Sequence, residues 1–192
     1  MKHVKLYEQF IAEAGTGEKV VIFPGRFQPM HLGHIKAFEK AYKVFGVKVI
    51  PIQIISKNED SPFPRTLLDK IAKDVKNEFN FIADVVVYPE GLKTVIPQMV
   101  KLIREMGYDP IGLACGSDRF KDYQRQVNYL LSDKSDVPTK EFRLEVVDER
   151  IPNGPSGTKT REALRTDDEK SFNEMVPKGV QKHFGELKKY IK

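Results

Sequence analysis

Two histidines three residues apart, His31 and His34, close the run Gly25-Arg26-Phe27-Gln28-Pro29-Met30-His31-Leu32-Gly33-His34. The run follows a β-branched, aromatic stretch and opens a helical pattern, so it reads as a strand–turn–helix junction. On a first helical turn the two imidazoles share a face. They then sit at a terminus whose free N–H groups and dipole favour an anion. Gly25 keeps a Cβ out of a ligand's way, Arg26 can fork onto phosphate oxygens, and Pro29 stiffens the turn. Gly33 permits close approach of a ligand or strand. The chemistry that suits this set is stabilisation of the charge that builds on a polyphosphate during displacement. Taken singly, either histidine is more often an exposed turn residue or a satisfied helix residue; the whole ten-residue pattern argues for the phosphate role. A zinc reading of His-x-x-His lacks further ligands, because His3 and His183 lie at opposite ends of the chain and Cys115 is the only cysteine. No dedicated metal site is expected.

A second run, Ser156-Gly157-Thr158-Lys159-Thr160-Arg161, follows a Gly/Pro-rich loop at 151–157 and starts another helix. Thr158 suits the N-cap, Ser156 and Thr158 place hydroxyls beside free N–H groups, and Lys159 and Arg161 add charge for outer phosphates. By itself the run could equally be an ordinary helix start with solvent-facing bases. A third, Gly116-Ser117-Asp118, ends a strand; Asp118 either meets a ligand or caps the helix after it. Arg119 and Lys121 either touch phosphate or are exposed. Cys115 reads as a small buried residue rather than a nucleophile.

The elements that must hold these runs alternate. Strands are expected at 19–23, 47–55, 84–88, 110–115 and 142–147. Helices are expected at 32–45 with Gly46 as the C-cap, 66–79, about 94–106 with Pro97 in the first turn, 120–131, and from about Thr158. The C-terminal segment reads as helical, broken at 175–179, and a short helix is expected at 5–14. Such alternation implies right-handed βαβ crossovers and an α/β, Rossmann-like, doubly wound parallel sheet with helices on both faces. The order 3-2-1-4-5 is taken from that fold class. It puts the ends of strands one and four side by side at the switch point, where ligands bind. The domain reading is an N-terminal helical appendage at 1–17, a main domain at 18–166 and a C-terminal helical extension packed on it at 167–192.

The 192 residues are one domain's worth, 40% hydrophobic and 31% charged, which excludes a disordered chain. No apolar run reaches the roughly 18 residues of a membrane span, and residues 1–14 carry no apolar signal core. A soluble, intracellular, reducing setting is the expectation. With 32 Lys+Arg against 27 Asp+Glu the net charge is +5 and the pI about 9.1, which suits a phosphorylated small molecule or a nucleic acid without choosing. The bases are dispersed, as on a solvated surface.

Read together, the first two runs resemble the nucleotidyltransferase superfamily with the His-x-Gly-His signature, the adenylyl- and cytidylyltransferases. The Gly-Arg-Phe-Gln-Pro-x-His-x-Gly-His form is most similar to nicotinamide-mononucleotide adenylyltransferases of the archaeal type. Ser156 to Arg161 resembles their second signature, with Thr160 departing where an aliphatic residue is usual. Gly116 to Arg119 and Phe172 to Pro177 also resemble phage-encoded nucleotidyltransferases. The resemblance implies transfer of AMP from ATP to the phosphate of a small acceptor, first nicotinamide mononucleotide, with release of pyrophosphate. His31, His34, Arg26 and Arg161 would be catalytic. Gly25, Phe27, Gly33, Gly116, Asp118, Ser156, Gly157, Thr158 and Lys159 would bind nucleotide. Ser56, Phe63, Arg65 and Tyr88 would shape the acceptor pocket, with Arg65 or Lys70 standing in for the family's arginine. This chain has no Trp for ring stacking, a part open to Phe63 or Tyr88, although an aromatic at a loop edge is more often core. Mg²⁺ would arrive with ATP. A cytidylyltransferase or a pantetheine- or flavin-type adenylyltransferase is the alternative within the fold; a nucleotide- or nucleic-acid-binding module without turnover is the alternative outside it, although no nucleic-acid motif is present. The expected setting is the cytoplasm, that of a host if phage-encoded, with no membrane partner; self-association is left open.

Overall fold

The computed structural model describes residues 17–55, 62–88, 95–148 and 154–191. The expected helix at 5–14 and the loop residue Ser56 lie outside them. Five strands, β1 (Glu18–Gly25), β2 (Lys48–Gln53), β3 (Val86–Val87), β4 (Tyr108–Cys115) and β5 (Arg143–Val146), form one parallel sheet in the order β3-β2-β1-β4-β5. The helices are α1 (Leu32–Phe45), α2 (Arg65–Lys76), α3 (Ile96–Glu105), α4 (Phe120–Leu130), α5 (Gly157–Arg165), α6 (Glu169–Met175), α7 (Lys178–Gln181) and α8 (Phe184–Lys188). No helix among them is long and apolar enough to cross a membrane.

The alternation of side chains along β1 divides the core in two. Val21 and Phe23 face α1, α2 and the C-terminal helices, meeting Phe38, Leu67, Phe172 and Leu187. Val20 and Ile22 face α3 and α4, meeting Met99, Ile103 and Val127. A strand buried on both faces needs a continuous apolar run, and Val20–Phe23 supplies it.

Boundaries shift for local reasons. β1 runs on to Gly25 because Gly25 pairs with Gln53 and its carbonyl accepts from Ile54 N–H at 2.7 Å. β4 begins at Tyr108, and Pro110, which cannot donate to a ladder, sits where the β1–β4 register shifts. Gly46 caps α1 in the left-handed region, φ 70°, its N–H donating to Tyr42 O at 2.8 Å. α2 stops at Lys76 rather than Phe79, which frees Glu78 to turn out. Its two carboxylate oxygens accept from Lys178 N–H at 3.0 Å and Gly179 N–H at 2.8 Å, fixing α7 on the end of α2. β3 is only two residues long, with Tyr88 N–H still donating to Gln53 O at 2.8 Å.

Gly179 lies so close to α2 that a Cβ there would come within 2.8 Å of Asp74 C and Val75 N. Gly179→Ala is therefore expected to cost about 1–3 kcal/mol through overpacking against backbone that cannot yield. Thermal unfolding should show it as a fall of about 2–4 °C per kcal/mol, with pyrophosphate release at moderate temperature unchanged.

Candidate active site

The turn between β1 and α1 is held from below. Gln53 at the end of β2, 2% exposed, donates from Nε2 to Phe27 O at 2.8 Å and Arg26 O at 3.3 Å. Phe27 takes φ 43°, and the Gln28–Pro29 peptide is cis. The Phe27 ring folds back over Gly25, where a Cβ would collide with it; it packs edge-on against His34 at 4.9 Å and Phe38 at 5.2 Å. Arg26 is left exposed at the mouth.

His31 is the N-cap of α1 and His34 lies three residues on. The rings stack with centroids 3.6 Å apart, and His31 N–H donates to His34 Nδ1 at 3.2 Å. That bond assigns the tautomer: Nδ1 accepts, so the neutral His34 ring carries its proton on Nε2, as a donor. Burial holds the His31 pKa down at about 4. Burial, then the charge of His31, holds His34 well below its ordinary value. Both rings are neutral at pH 7, and His31 Nδ1 is buried without a hydrogen-bond partner.

The second run docks on the first. The N-cap of α5 is Ser156, not Thr158: its backbone is extended and its Oγ accepts from Lys159 N–H at 3.2 Å. A hydroxyl two residues further on would already be inside the helix, and Thr158 is exposed there. Thr160, the departure from the aliphatic pattern, is fully buried and donates its hydroxyl proton back to Ser156 O or Gly157 O, each 3.0 Å away, so it costs the helix no unsatisfied polar group. Arg161 Nη1 donates to Gln28 O at 2.9 Å, joining residues 133 apart in sequence. Nearby, a Cβ at Gly33 would sit 3.4 Å from Pro155 O. Lys159 Nζ lies 3.3 Å from Gly154 O, to which it donates.

At the end of β4, Gly116 leaves room for two carboxylates: a Cβ there would meet Asp118 Oδ1 at 2.8 Å and Asp148 Oδ1 at 3.3 Å. Asp148, just past β5, accepts from Ser117 N–H at 3.1 Å. Asp118 does not cap α4, whose N-cap is Arg119 without a side-chain bond; it pairs with Arg119 at 3.7 Å. Burial pushes the Cys115 thiol up to about 11, leaving it protonated beneath the site. Among the described residues no group of three or more His, Cys, Asp and Glu could hold a metal ion.

Two adjoining cavities open over the ends of β1 and β4, sharing Phe23, His34, Gly116 and Asp118. One, about 650 Å³, is walled by His31, Gly33, Asp148, Pro155, Ser156 and Lys159. The other, about 1120 Å³, takes in Gly25, Arg26 and Phe27 and runs along α4 past Asp122, Arg125, Gln126 and Tyr129 to Val95 and Pro97. Gly157 and Thr158, on the first turn of α5, line neither cavity, and Arg161 ties that helix to the first loop. Of the residues expected at the acceptor, Phe63, Arg65 and Tyr88 line neither cavity. Phe63 and Tyr88 are each 2% exposed and belong to the two cores, so neither offers a ring face to a ligand. Arg65 pairs with Asp69 at 3.5 Å and donates to Val87 O at 3.3 Å, and Lys70 pairs with Glu186 at 2.9 Å.

Sequence reasoning passed over Gln53, Asp148 and the polar face of α4. Asp148 was findable as the first residue beyond a strand's C-terminal end, where this fold class binds ligands. Arg125, Gln126 and Tyr129 carry the i, i+4 and i, i+3 spacing of one helix face, without a motif to mark it.

The cytidylyltransferase-like family profile matches residues 22–163. A Fusobacterium nucleatum protein named "probable nicotinate-nucleotide adenylyltransferase" is 28% identical over 117 residues, 58% of this chain and 61% of that protein. The chain thus spans about three fifths of that relative's length. Its fold is similar to Plasmodium falciparum nicotinic acid mononucleotide adenylyltransferase, in a complex with NaAD at TM-score 0.60 and 13% identity, over 90% of this chain and 98% of that one. A second complex of the same enzyme, with APC, gives TM-score 0.58 at 12% identity over the same shares. At such identities the likeness is one of fold, whereas the family profile spans most of the sequence: the chain belongs to the cytidylyltransferase-like family.

Proposed function

We propose that this chain transfers AMP from ATP to the phosphate of a pyridine mononucleotide, nicotinic acid or nicotinamide mononucleotide, with release of pyrophosphate. The observation that carries the reading is the meeting of two distant runs on one crevice with His34 at the junction of its cavities. The similarity to nicotinate-nucleotide adenylyltransferases supports it. The smaller cavity suits the nucleotide and its triphosphate, beside Ser156 and Lys159; the larger one suits the acceptor.

In the reaction an acceptor phosphate oxygen attacks the α-phosphorus of ATP, a new P–O–P bond forms, and the bond to the pyrophosphate oxygen breaks. The attacking oxygen is already anionic, so no covalent enzyme intermediate and no strong base is needed. His34 Nε2–H donates to the α-phosphate as negative charge grows, while Arg26 and Lys159 approach the leaving phosphates. A magnesium ion entering as the ATP complex would neutralise phosphate charge, and Asp118 and Asp148, which line the smaller cavity, would be the carboxylates to hold it there.

Arg161 acts from behind, by holding the first loop against α5. Arg161→Ala is expected to raise the KM for ATP about tenfold, the worth of one charge-assisted hydrogen bond, and to lower the Tm. An unchanged ATP KM would remove Arg161 from the site. The function itself is tested by pyrophosphate release from ATP with each mononucleotide; no release with either overturns it. The family match keeps one second reading, a cytidylyl donor, and a greater thermal shift with CTP than with ATP would favour it.

A further inference from the structure

The larger cavity contains a polar group whose orientation is dictated by chemistry. Gln126, half-buried on α4, lines the cavity and accepts from Ile96 N–H through Oε1 at 2.8 Å. Ile96 is the first residue of α3, and its N–H has no partner inside its own helix. An N–H can be met only by the amide oxygen, so the amide cannot turn end for end. The other terminus, Nε2, is fixed as a pure donor of two hydrogens. Beside it, Arg125 is held by Asp122, and Tyr129, 48% exposed, offers a ring. Val95 and Pro97 supply an apolar wall. A planar ring with an oxygen-bearing substituent fits these surroundings: the ring against Tyr129 and the apolar wall, the oxygen toward the amide.

We propose that Gln126 is a specificity-determining residue, donating from Nε2 to the oxygen of the acceptor's ring substituent while α3 holds its other end. This rests on the adenylyl-transfer reading and deepens it, because it names the group on the acceptor that the protein reads. The assignment separates carboxylate from carboxamide acceptors. Both present an oxygen, and only the carboxamide can also turn an NH₂ toward an acceptor atom.

Gln126→Glu tests this without disturbing the scaffold. A carboxylate keeps one oxygen for Ile96 N–H and replaces the donor by an anionic acceptor. Initial rates of pyrophosphate release are measured with ATP and either nicotinic acid mononucleotide or nicotinamide mononucleotide. The expected result is a KM for the carboxylate acceptor raised about tenfold to a hundredfold, through loss of a charge-assisted bond and like-charge repulsion. The carboxamide acceptor is affected much less, and the KM for ATP is unchanged. Gln126→Leu, which removes both bonds, should raise the acceptor KM for both mononucleotides, more for the carboxylate, whose bond is charge-assisted, but with a smaller change in their ratio than Gln126→Glu because no repulsion is added. A carboxamide-to-carboxylate ratio of kcat/KM that stays at the wild-type value in Gln126→Glu overturns the assignment of Gln126 alone. Absence of pyrophosphate from the wild-type protein with both mononucleotides overturns the transfer reading, and this inference with it. Should Gln126→Glu fail to fold, Gln126→Leu decides: an unchanged acceptor KM there overturns the proposal.

Discussion

His34→Ala should lower the kcat of pyrophosphate release by about 10²–10³, the loss seen when one preorganised donor is removed from a developing oxyanion. The size follows from how firmly the ring is fixed. His34 Nδ1 is engaged by the backbone of His31, one ring face is stacked on His31, and the edge of Phe27 packs against it. A donor held this way reorganises little when charge appears on the α-phosphate. The KM for ATP should change far less than kcat, because the donor's bond strengthens in the transition state more than in the ground state. An unaltered kcat would take His34 out of the chemistry. His34→Gln, which can place an amide donor in nearly the same volume, should recover part of the loss.

Acidification should destabilise the free protein through the same pair. His31 titrates near 4 in the folded chain because burial disfavours its charged form, against an ordinary value near 6.5. Above about pH 6.5 the folded and unfolded chains both carry a neutral ring, and the group contributes no slope. Between about pH 6.5 and 4 only the unfolded chain takes up the proton, so stability falls as pH falls. The total loss over that window is about 3 kcal/mol, and it levels off below pH 4. Denaturant unfolding at pH 7 and pH 4 should show His31→Asn with a correspondingly smaller drop than wild type. Equal drops would refute the burial account. A bound triphosphate reverses the preference, since anionic oxygens beside the rings favour their protonated forms; ATP should therefore protect more strongly at pH 5.5 than at pH 7.5.

Much of the framework was legible because its signals are local. The apolar run Val20–Phe23, the helical spacing to Phe45 and Gly46 at its end are each written within a few residues. The parallel character of the sheet follows from repeating that unit under a handedness rule, whereas the order 3-2-1-4-5 comes from the fold class and not from any residue. The positions of Gly25, His31 and His34 on a strand-to-helix turn were legible for the same reason. The sequence leaves the placement of Phe63 and Tyr88 between two readings. Both sit beside loops, where an aromatic either stacks on a ligand or joins the core, and α2 and the sheet edge draw both rings inward. Arg65 is engaged by Asp69 one helical turn away. The N-cap moved from Thr158 to Ser156 because the backbone leaves the extended region two residues earlier than a cap at Thr158 would require, and either hydroxyl would have satisfied the pattern. Gln53 and Gln126 matter through bonds to Phe27 and Ile96, partners 26 and 30 residues away. A glutamine in a strand or on a helix face announces nothing about such partners.

The carboxylate of Glu78, gripping the first two amides of α7, has a consequence for biosynthesis. Phe172, Val180 and Leu187 complete the layer against which Val21 and Leu67 are buried, so that layer stays open during synthesis until the helices carrying them have emerged from the ribosome. Among the described residues, the buried members of the opposite layer, closed by α3 and α4, end at Phe142, and that layer can consolidate while translation continues. Synthesis would thus pass through a half-built sheet, greasy on one side, and a chaperone that covers that side alone would be the helper such a chain needs.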